Sequence, residues 1–294
     1  MFTRFFGNYL LRKQLISPEA LSEALEIQQN TRLKLGVLAI NAGYMTAEQV
    51  EKAHDQQQRE DKRIGDVMVE MGFLTAEQVE ELFKTQPAGY LLLGQALVDK
   101  GHMTNAQFEE ALNSYKEENH ISDSDFDDVN ETAAQSMIDK FYNFSSSSSA
   151  VYMTKYVSVL FKNLIRFIGG DFTPMAVRSI SGDDLDDVIS QKISGNVNAL
   201  TVVTADSDMA MIKFASRFSK EHLLANDEYT QSCVSEFLNL HNGLFAVNVS
   251  NNAGVELQLE PQAYNDHINA ADYENSCVIP IFFSFGTVNF ILLM

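Results

Sequence analysis

Cysteine is scarce in this chain, with only Cys233 and Cys277 in 294 residues. So thin a supply gives no disulfide framework, and two buried free thiols are the expected state. Basic residues are also few: Lys and Arg total 21 against 40 Asp and Glu, a formal net charge of −19. Phosphate backbones need clustered Lys and Arg, so nucleic acid is excluded as a partner, and anionic membranes are disfavoured. The opening "MFTRFFGNYLLRKQLISPEA" has no unbroken apolar stretch, so no secretory signal is read there. The closing "CVIPIFFSFGTVNFILLM" is short for a membrane span and carries Pro280, Gly286 and Asn289. Its two β-rich halves around Gly286 and Thr287 suit a tight hairpin better. A cytoplasmic protein is expected. There is no Walker-type glycine loop, and the six histidines (54, 102, 120, 222, 241 and 267) lack ligand spacing, so no structural metal is expected.

What the sequence does have is a repeat. Gly7, Gly36, Gly65 and Gly94 are 29 residues apart, and the helix-start residues Ser17, Thr46, Thr75 and Thr104 keep that spacing. Each unit reads as a helical hairpin. A short helix ends at a glycine suited to the left-handed position (Gly43, Gly72, Gly101), and a longer helix starts at a cap. Thr46 with Gln49, and Thr75 with Gln78, have capping-box spacing; Ser17 is followed by Pro18 at the first helical position. Val50, Ala53, Val79, Leu82 and Phe83 are expected to face inward. No hairpin could bury its apolar face alone, so the units must stack.

The array resembles the N-terminal domain of type II secretion and type IV pilus assembly ATPases, the MshEN or GspE-N family. That motif is Arg-Leu-Gly, a Leu three residues on, a second Gly, spaced apolar positions and a Gln. The third unit matches it at Arg63, Ile64, Gly65, Met68, Gly72, Val79, Phe83 and Gln86. The Arg position is Phe5, Lys34 and Leu92 in the other three units. The resemblance implies cyclic di-GMP as a ligand of two tandem copies, which here would draw on Lys34, Gly36, Arg63, Gly65 and Gly72. The alternative is a helical docking module whose glycines serve turns. No ATPase is implied, for want of a Walker loop.

The expected division is an all-α array over 1–116, an acidic linker over 117–131, and a second domain over 132–294. The linker's "DSDFDDVNE" lacks the glycine and terminal glutamate of a calcium loop. "SSSSS" at 145–149 reads as a loop. The second domain reads as α+β, with long helices on an antiparallel sheet. "YMTKYVSVLFKNLIRFIG" is amphipathic, with Val159, Leu160, Leu164 and Ile168 inside and Lys155, Lys162 and Arg166 outside. "MAVRSI", "DVISQKI" and "VNALTVVT" are β-like, and "DSDMAMIKFASRF" is a helix opening at an Asp cap. A helix over about 226–242 follows, then a hairpin of "GLFAVNVS" and "VELQLE" across Asn251 and Asn252, with Pro261 ending its second strand.

On that helix Ser232, Glu236 and Asn239 are spaced i, i+4, i+7 and share one stripe, with Gly243 a turn further on. Cys233 lies on the apolar side, and His241 points away from the stripe. Ser-x-x-x-Glu-x-x-Asn followed by Gly243 and Pro261 resembles the signature of the CheC/CheX/FliY chemotaxis phosphatases, with the proline one residue early. A single signature is the CheX pattern. The resemblance implies a CheX-like domain that hydrolyses the aspartyl phosphate of a CheY-like receiver, and a homodimer. No cofactor of its own is implied; a divalent Mg ion and a lysine are expected on the receiver. Asn239 would hold the attacking water, Glu236 would meet the receiver's lysine, and Ser232, Gly243 and Pro261 would support them. A carboxamide can accept from and donate to one water without acting as a strong base, and orientation is what this reaction needs. The rival expectations are a non-catalytic signalling adaptor and a cyclic di-GMP-responsive protein.

Overall fold

The computed structural model describes residues 2–28, 30–60, 62–84, 89–119, 149–180, 184–253 and 256–294, together with residues 138, 141, 142 and 144. It divides into two compact units, Phe2–Asp127 and Asp128–Met294, Met1 being grouped with the second. None of the described helices is long and apolar enough to cross a membrane. Most of the expected linker, the Asp run within it and positions 145–148 of the serine run lie outside the described residues.

The described part of the first unit is four helical hairpins: α1 (Phe2–Arg12) with α2 (Pro18–Gln28), α3 (Leu35–Asn41) with α4 (Ala47–Glu60), α5 (Ile64–Glu70) with α6 (Ala76–Lys84), and α7 (Gly89–Asp99) with α8 (Asn105–Asn119). The caps form as the spacing requires. Thr46 N donates to Gln49 Oε1 at 2.8 Å while Gln49 N donates to Thr46 Oγ1 at 3.3 Å. Thr75 with Gln78, and Thr104 with Gln107, repeat the box. Gly43, Gly72 and Gly101 have φ of 69°, 73° and 75°, and the first unit puts Gln14 in the same left-handed conformation at 56°.

The glycines of the 29-residue period do not serve turns. A Cβ on Gly36 would lie 2.6 Å from Val50 Cγ1, and one on Gly94 would lie 2.1 Å from Phe108 Cε2. They let the short helix of a hairpin press against its long one. The hairpins also do not form a simple linear stack. α2 packs on α7 and α1 on α8, so the first hairpin closes against the fourth; α4 on α5 and α3 on α6 repeat that pairing for the second and third. The 1–4 pair is filled with aromatics: Phe6 meets Tyr9, Tyr90, Phe108 and Tyr115 with centroids 5.2–6.3 Å apart. The third hairpin is the least enclosed. Val50, Ala53 and Leu82 are buried as expected, but Phe83 is 66% exposed.

The second unit is α+β. Its sheet has six antiparallel strands in the order β1-β5-β6-β3-β2-β4, where β1 is Phe172–Pro174, β2 Asp184–Gly195, β3 Ala199–Ala205, β4 Leu257–Asn269, β5 Ser276–Phe283 and β6 Gly286–Leu293. The terminal hairpin is as expected: Phe283 faces Gly286 across a two-residue turn. Among the described residues, three long helices accompany the sheet: α9 (Ala150–Asn163, ending in a π turn at Leu164–Ile168), α10 (Asp208–Ser219) and α11 (Glu228–Ala253). α10 and α11 lie on one face, and α9 packs along α11. Phe214, Phe237, Phe283 and Phe290 interlock there at 5.0–6.1 Å. A second cluster, Val188, Leu200, Val202, Val278, Ile291 and Leu293, covers the other face. Burying such side chains is worth roughly 1.5–3 kcal/mol each. Cys277 is buried, which pushes its thiol up to about 12, while Cys233 is only half-buried; both are free.

Four local expectations are corrected. "GLFAVNVS" is helix rather than strand, because Phe245, Ala246 and Val249 continue the buried face of α11 past Gly243. Pro261 lies inside β4 rather than at its end. "MAVRSI" is not a strand; only Arg178 bridges to Val278. α10 is capped by Ser207, whose hydroxyl accepts from Ala210 N at 3.2 Å, and not by an aspartate.

Candidate functional site

α11 begins at Asp227, whose carboxylate accepts from Thr230 N at 3.0 Å. Val234, Phe237, Leu238, Phe245 and Val249 form its buried side. His241 is buried on the α9 side: Tyr156 meets its ring edge-on at 4.4 Å, and Nδ1 is 3.1 Å from Asn163 Nδ2. Desolvation holds this imidazole well down, at about 3, so it is neutral at physiological pH. A buried donor from Asn163 and no facing carboxylate make it a structural residue.

The opposite flank is open. Ser232 and Glu236 are exposed, as are Tyr229 and Val247 on the same stripe. Glu236 has no hydrogen bond or ion pair among the described residues, so its carboxylate is available to a partner. Asn239 sits between this flank and the sheet, half-buried. Its Oδ1 accepts from Gln191 Nε2 of β2 at 2.8 Å. Its Nδ2 bonds to none of the described residues. One lone pair of the Asn239 carboxamide is therefore committed to the sheet, and the other lone pair and both N–H groups remain.

Gln191 is 2% exposed and fully engaged. Its Nε2 also donates to the main-chain oxygen of Glu260 at 3.0 Å. Its Oε1 accepts from Asn242 Nδ2 at 2.8 Å, and Asn242 Nδ2 donates again to Thr201 Oγ1 at 2.7 Å. The Thr201 hydroxyl donates to the Gln191 carbonyl at 2.9 Å. Four side chains from α11, β2 and β3 thus form one polar chain under an apolar helix.

Pro261 meets this chain through the backbone. Gln191 pairs with Gln262 and Ile193 with Leu259, so three steps on β4 oppose two on β2. This bulge contains Glu260 and Pro261. A residue without an N–H is tolerated on an edge strand or at a bulge, and β4 is an edge of the sheet. Glu260 also pairs with Lys192 at 3.4 Å on the surface. Gly243 is not demanded by packing: a Cβ there would sit 3.9 Å from Leu259 Cδ1, an ordinary contact.

The residues proposed for a nucleotide are partly occupied. Lys34 pairs with Asp99 at 2.5 Å, and its main-chain N–H goes to Gln95 Oε1 at 3.2 Å. Arg63 is exposed at the start of α5, beside Asp66. Gly36 is buried against Val50, a Cβ on Gly65 would lie 3.4 Å from Leu35 Cδ2 and Val79 Cγ1, and Gly72 forms the turn after α5. Gln86 lies outside the described residues.

Sequence reasoning missed Gln191, Asn242 and Thr201. A signal existed in β2: Ile189, Gln191 and Ile193 share one strand face, and a lone amide among isoleucines asks for a polar partner across the interface. Nothing local assigned that partner.

The second unit is therefore an α+β unit in which an antiparallel sheet braces one long helix that offers a carboxylate and a half-committed carboxamide. In backbone arrangement the chain is similar to solved structures of CheX- and CheC-like chemotaxis proteins. A CheC-like superfamily protein of Shewanella sp. PV-4 is 15% identical, over 48% of this chain and 96% of that one, with a TM-score of 0.41. CheX of Desulfovibrio desulfuricans is 16% identical, over 48% of this chain and 97% of that one, with a TM-score of 0.41. The CheX of Borrelia burgdorferi, solved in complex with CheY, BeF3 and Mg2+, is 14% identical over 48% and 96%, with a TM-score of 0.41. No protein-family model matches the sequence, and no curated protein matches it.

Proposed function

We propose that the second unit is a phosphatase of the CheX type that hydrolyses the aspartyl phosphate of a CheY-like receiver. The observation that carries this is the pairing of Glu236, exposed and unpartnered among the described residues, with Asn239, braced from behind on the same accessible flank. An ordinary solvated stripe has no need of a carboxamide locked to the sheet. Tyr229 and Val247, half exposed or more on that stripe, give apolar area to a protein partner rather than to a small molecule.

In this reading Glu236 meets the receiver's lysine and sets the docking. Asn239 enters the phosphorylated pocket, where a divalent ion held by the receiver would offset the charge of the phosphoryl group. The carboxamide uses its N–H groups and its free lone pair to hold a water in line. The water oxygen bonds to phosphorus as the P–O bond to the aspartyl carboxyl breaks. Aspartate leaves as carboxylate, and the water's protons remain with the inorganic phosphate and solvent. Positioning of this kind can lower a barrier by several kcal/mol, to about 7–11 in the best intramolecular cases. The helical array is the docking or regulatory module, and the open edge of β4 is where a homodimer would extend the sheet.

The test is loss of phosphate from a panel of phosphorylated receivers. Wild type is expected to accelerate it. Asn239→Ala is expected to reduce the rate by about 10²-fold or more while receiver binding, followed by fluorescence anisotropy, changes little. If wild type binds receivers and speeds none of them, the adaptor reading takes its place.

A further inference from the structure

We infer that Gln191 is a positioning residue, which turns the Asn239 carboxamide so that its amino group, not its carbonyl, faces the partner. For the rate of phosphate release this rests on the function proposed above; for the orientation itself it does not.

The polarity of the chain is fixed by two groups that can only accept. The main-chain oxygen of Glu260 lies 3.0 Å from one terminal atom of the Gln191 side chain, so that atom is the nitrogen. The main-chain oxygen of Gln191 lies 2.9 Å from the Thr201 hydroxyl, so the hydroxyl proton points there. Thr201 Oγ1 must then accept at 2.7 Å from Asn242, which identifies Asn242 Nδ2. The other Asn242 proton goes to Gln191 Oε1 at 2.8 Å. Every proton of the chain is now placed except one, the second on Gln191 Nε2. It points at Asn239, 2.8 Å away, and requires an oxygen there. The Asn239 Nδ2 therefore faces out.

The consequence is chemical. What α11 presents beside Glu236 is a pair of N–H donors, with only the second lone pair of Oδ1 as an acceptor. Donors suit the negative oxygens of a phosphoryl group as well as the water that attacks it. A reversed carboxamide would present its carbonyl to those oxygens and repel them. Gln191 lies one layer behind the reacting atoms and touches no substrate. Its burial is also unforgiving. Gln191 is 2% exposed, so a reversed Asn239 would leave one of its protons unpaired.

Two measurements test this on the full-length protein. In wild type, side-chain amide exchange by NMR should find both Gln191 Nε2 protons protected and the Asn239 Nδ2 protons exchanging with water. Gln191→Glu keeps the shape and the acceptor for Asn242 but removes the donors when ionised. Its burial raises the new carboxyl's pKa, and protonation returns one donor. Above that pKa, Asn239 Nδ2 should become protected as the carboxamide flips. Phosphate release should then fall by about 10²-fold relative to wild type and recover in part as the pH is lowered, with receiver affinity unchanged. Protected Asn239 Nδ2 protons in wild type would overturn the orientation, whether or not the variant folds. A variant-to-wild-type rate ratio that is flat with pH would overturn the positioning role. The expected exchange pattern without phosphatase activity in wild type would uphold the orientation and refute only the function proposed above.

Discussion

Replacing Gly36, Gly65 and Gly94 one at a time by alanine separates packing from ligand binding as the reason for the 29-residue glycine period. In a helix interior alanine is favoured over glycine by roughly 0.5–1 kcal/mol. At Gly94 the new methyl would sit 2.1 Å from Phe108 Cε2 and 2.6 Å from Cδ2. Carbon pairs settle at about 3.5–4.0 Å, so the ring must retreat by more than 1 Å. Phe108 is fully buried and already edge-on to Phe6 at 6.3 Å, so it has nowhere cheap to go. Overpacking of this kind costs about 1–3 kcal/mol, sometimes more, which leaves Gly94→Ala destabilising by about 1–2 kcal/mol. At Gly36 the obstacle is Val50 Cγ1 at 2.6 Å, on a β-branched side chain that is stiff at χ1. That substitution should destabilise, by less. At Gly65 the nearest atoms are 3.4 Å away, at the edge of ordinary contact, so Gly65→Ala should be neutral or stabilising by about 0.5 kcal/mol. Urea unfolding of the full chain, with hydrogen exchange on peptides from each hairpin, ranks the three and localises each effect. Equal effects at all three positions would refute the packing account. A damaging Gly65→Ala would do so as well, and would point to a ligand or partner that needs bare backbone at α5.

Gln14 occupies the left-handed position that Gly43, Gly72 and Gly101 hold in the other hairpins. A non-glycine residue there is strained by roughly 1–2 kcal/mol, against the smaller entropic penalty of glycine. Gln14→Gly should therefore raise the urea midpoint, by about 0.5–1 kcal/mol of stability; an unchanged or lower midpoint would sink the idea. His241 makes stability fall with acid. Its folded value, about 3, lies below the unfolded value near 6.5, so between those limits the unfolded chain binds the extra proton. Stability should be fully present above pH 6.5 and decline toward pH 3, by up to about 1.4 kcal/mol per pH unit from this one group. His241→Phe should flatten that part of the pH–stability curve, and an unaltered slope would show that other groups carry it.

The two halves of the fold differed in how far they could be read from sequence. The hairpin array was legible because its signals are local: a glycine with positive φ, a Thr with Gln three residues on, and an amphipathic run between them. Its closure was not, because the same period appears whether hairpins stack in a line or fold back so that the first meets the fourth. Phe83 shows the cost. By period it matches Leu25 and Leu112, which are buried, but in the third hairpin the same position faces solvent. The run after Gly243 failed for a related reason. "GLFAVNVS" is β-branched and alternating enough to read as strand, yet Phe245, Ala246 and Val249 were placed by what α11 packs against, and tertiary burial overrode local preference.

The site was half legible, along the same division. Ser232, Glu236 and Asn239 share a helix, so their common stripe follows from 3.6 residues per turn and no tertiary knowledge is needed. Gln191 is 48 residues from Asn239 on a different kind of element, and no spacing rule connects them. Yet Gln191 decides what the stripe offers. With a leucine at that position the same helix would carry the same Glu and Asn, but the carboxamide could turn either way, and its donors would face the partner only part of the time. The bulge at Glu260 and Pro261 belongs to this arrangement too: by setting three steps of β4 against two of β2, it brings the Glu260 carbonyl onto the Gln191 proton that does not meet Asn239 and so denies the side chain its alternative rotation. A proline on an edge strand is easily read as a strand terminator. Here it marks the place where the backbone of β4 is shaped to hold Gln191, and through it Asn239.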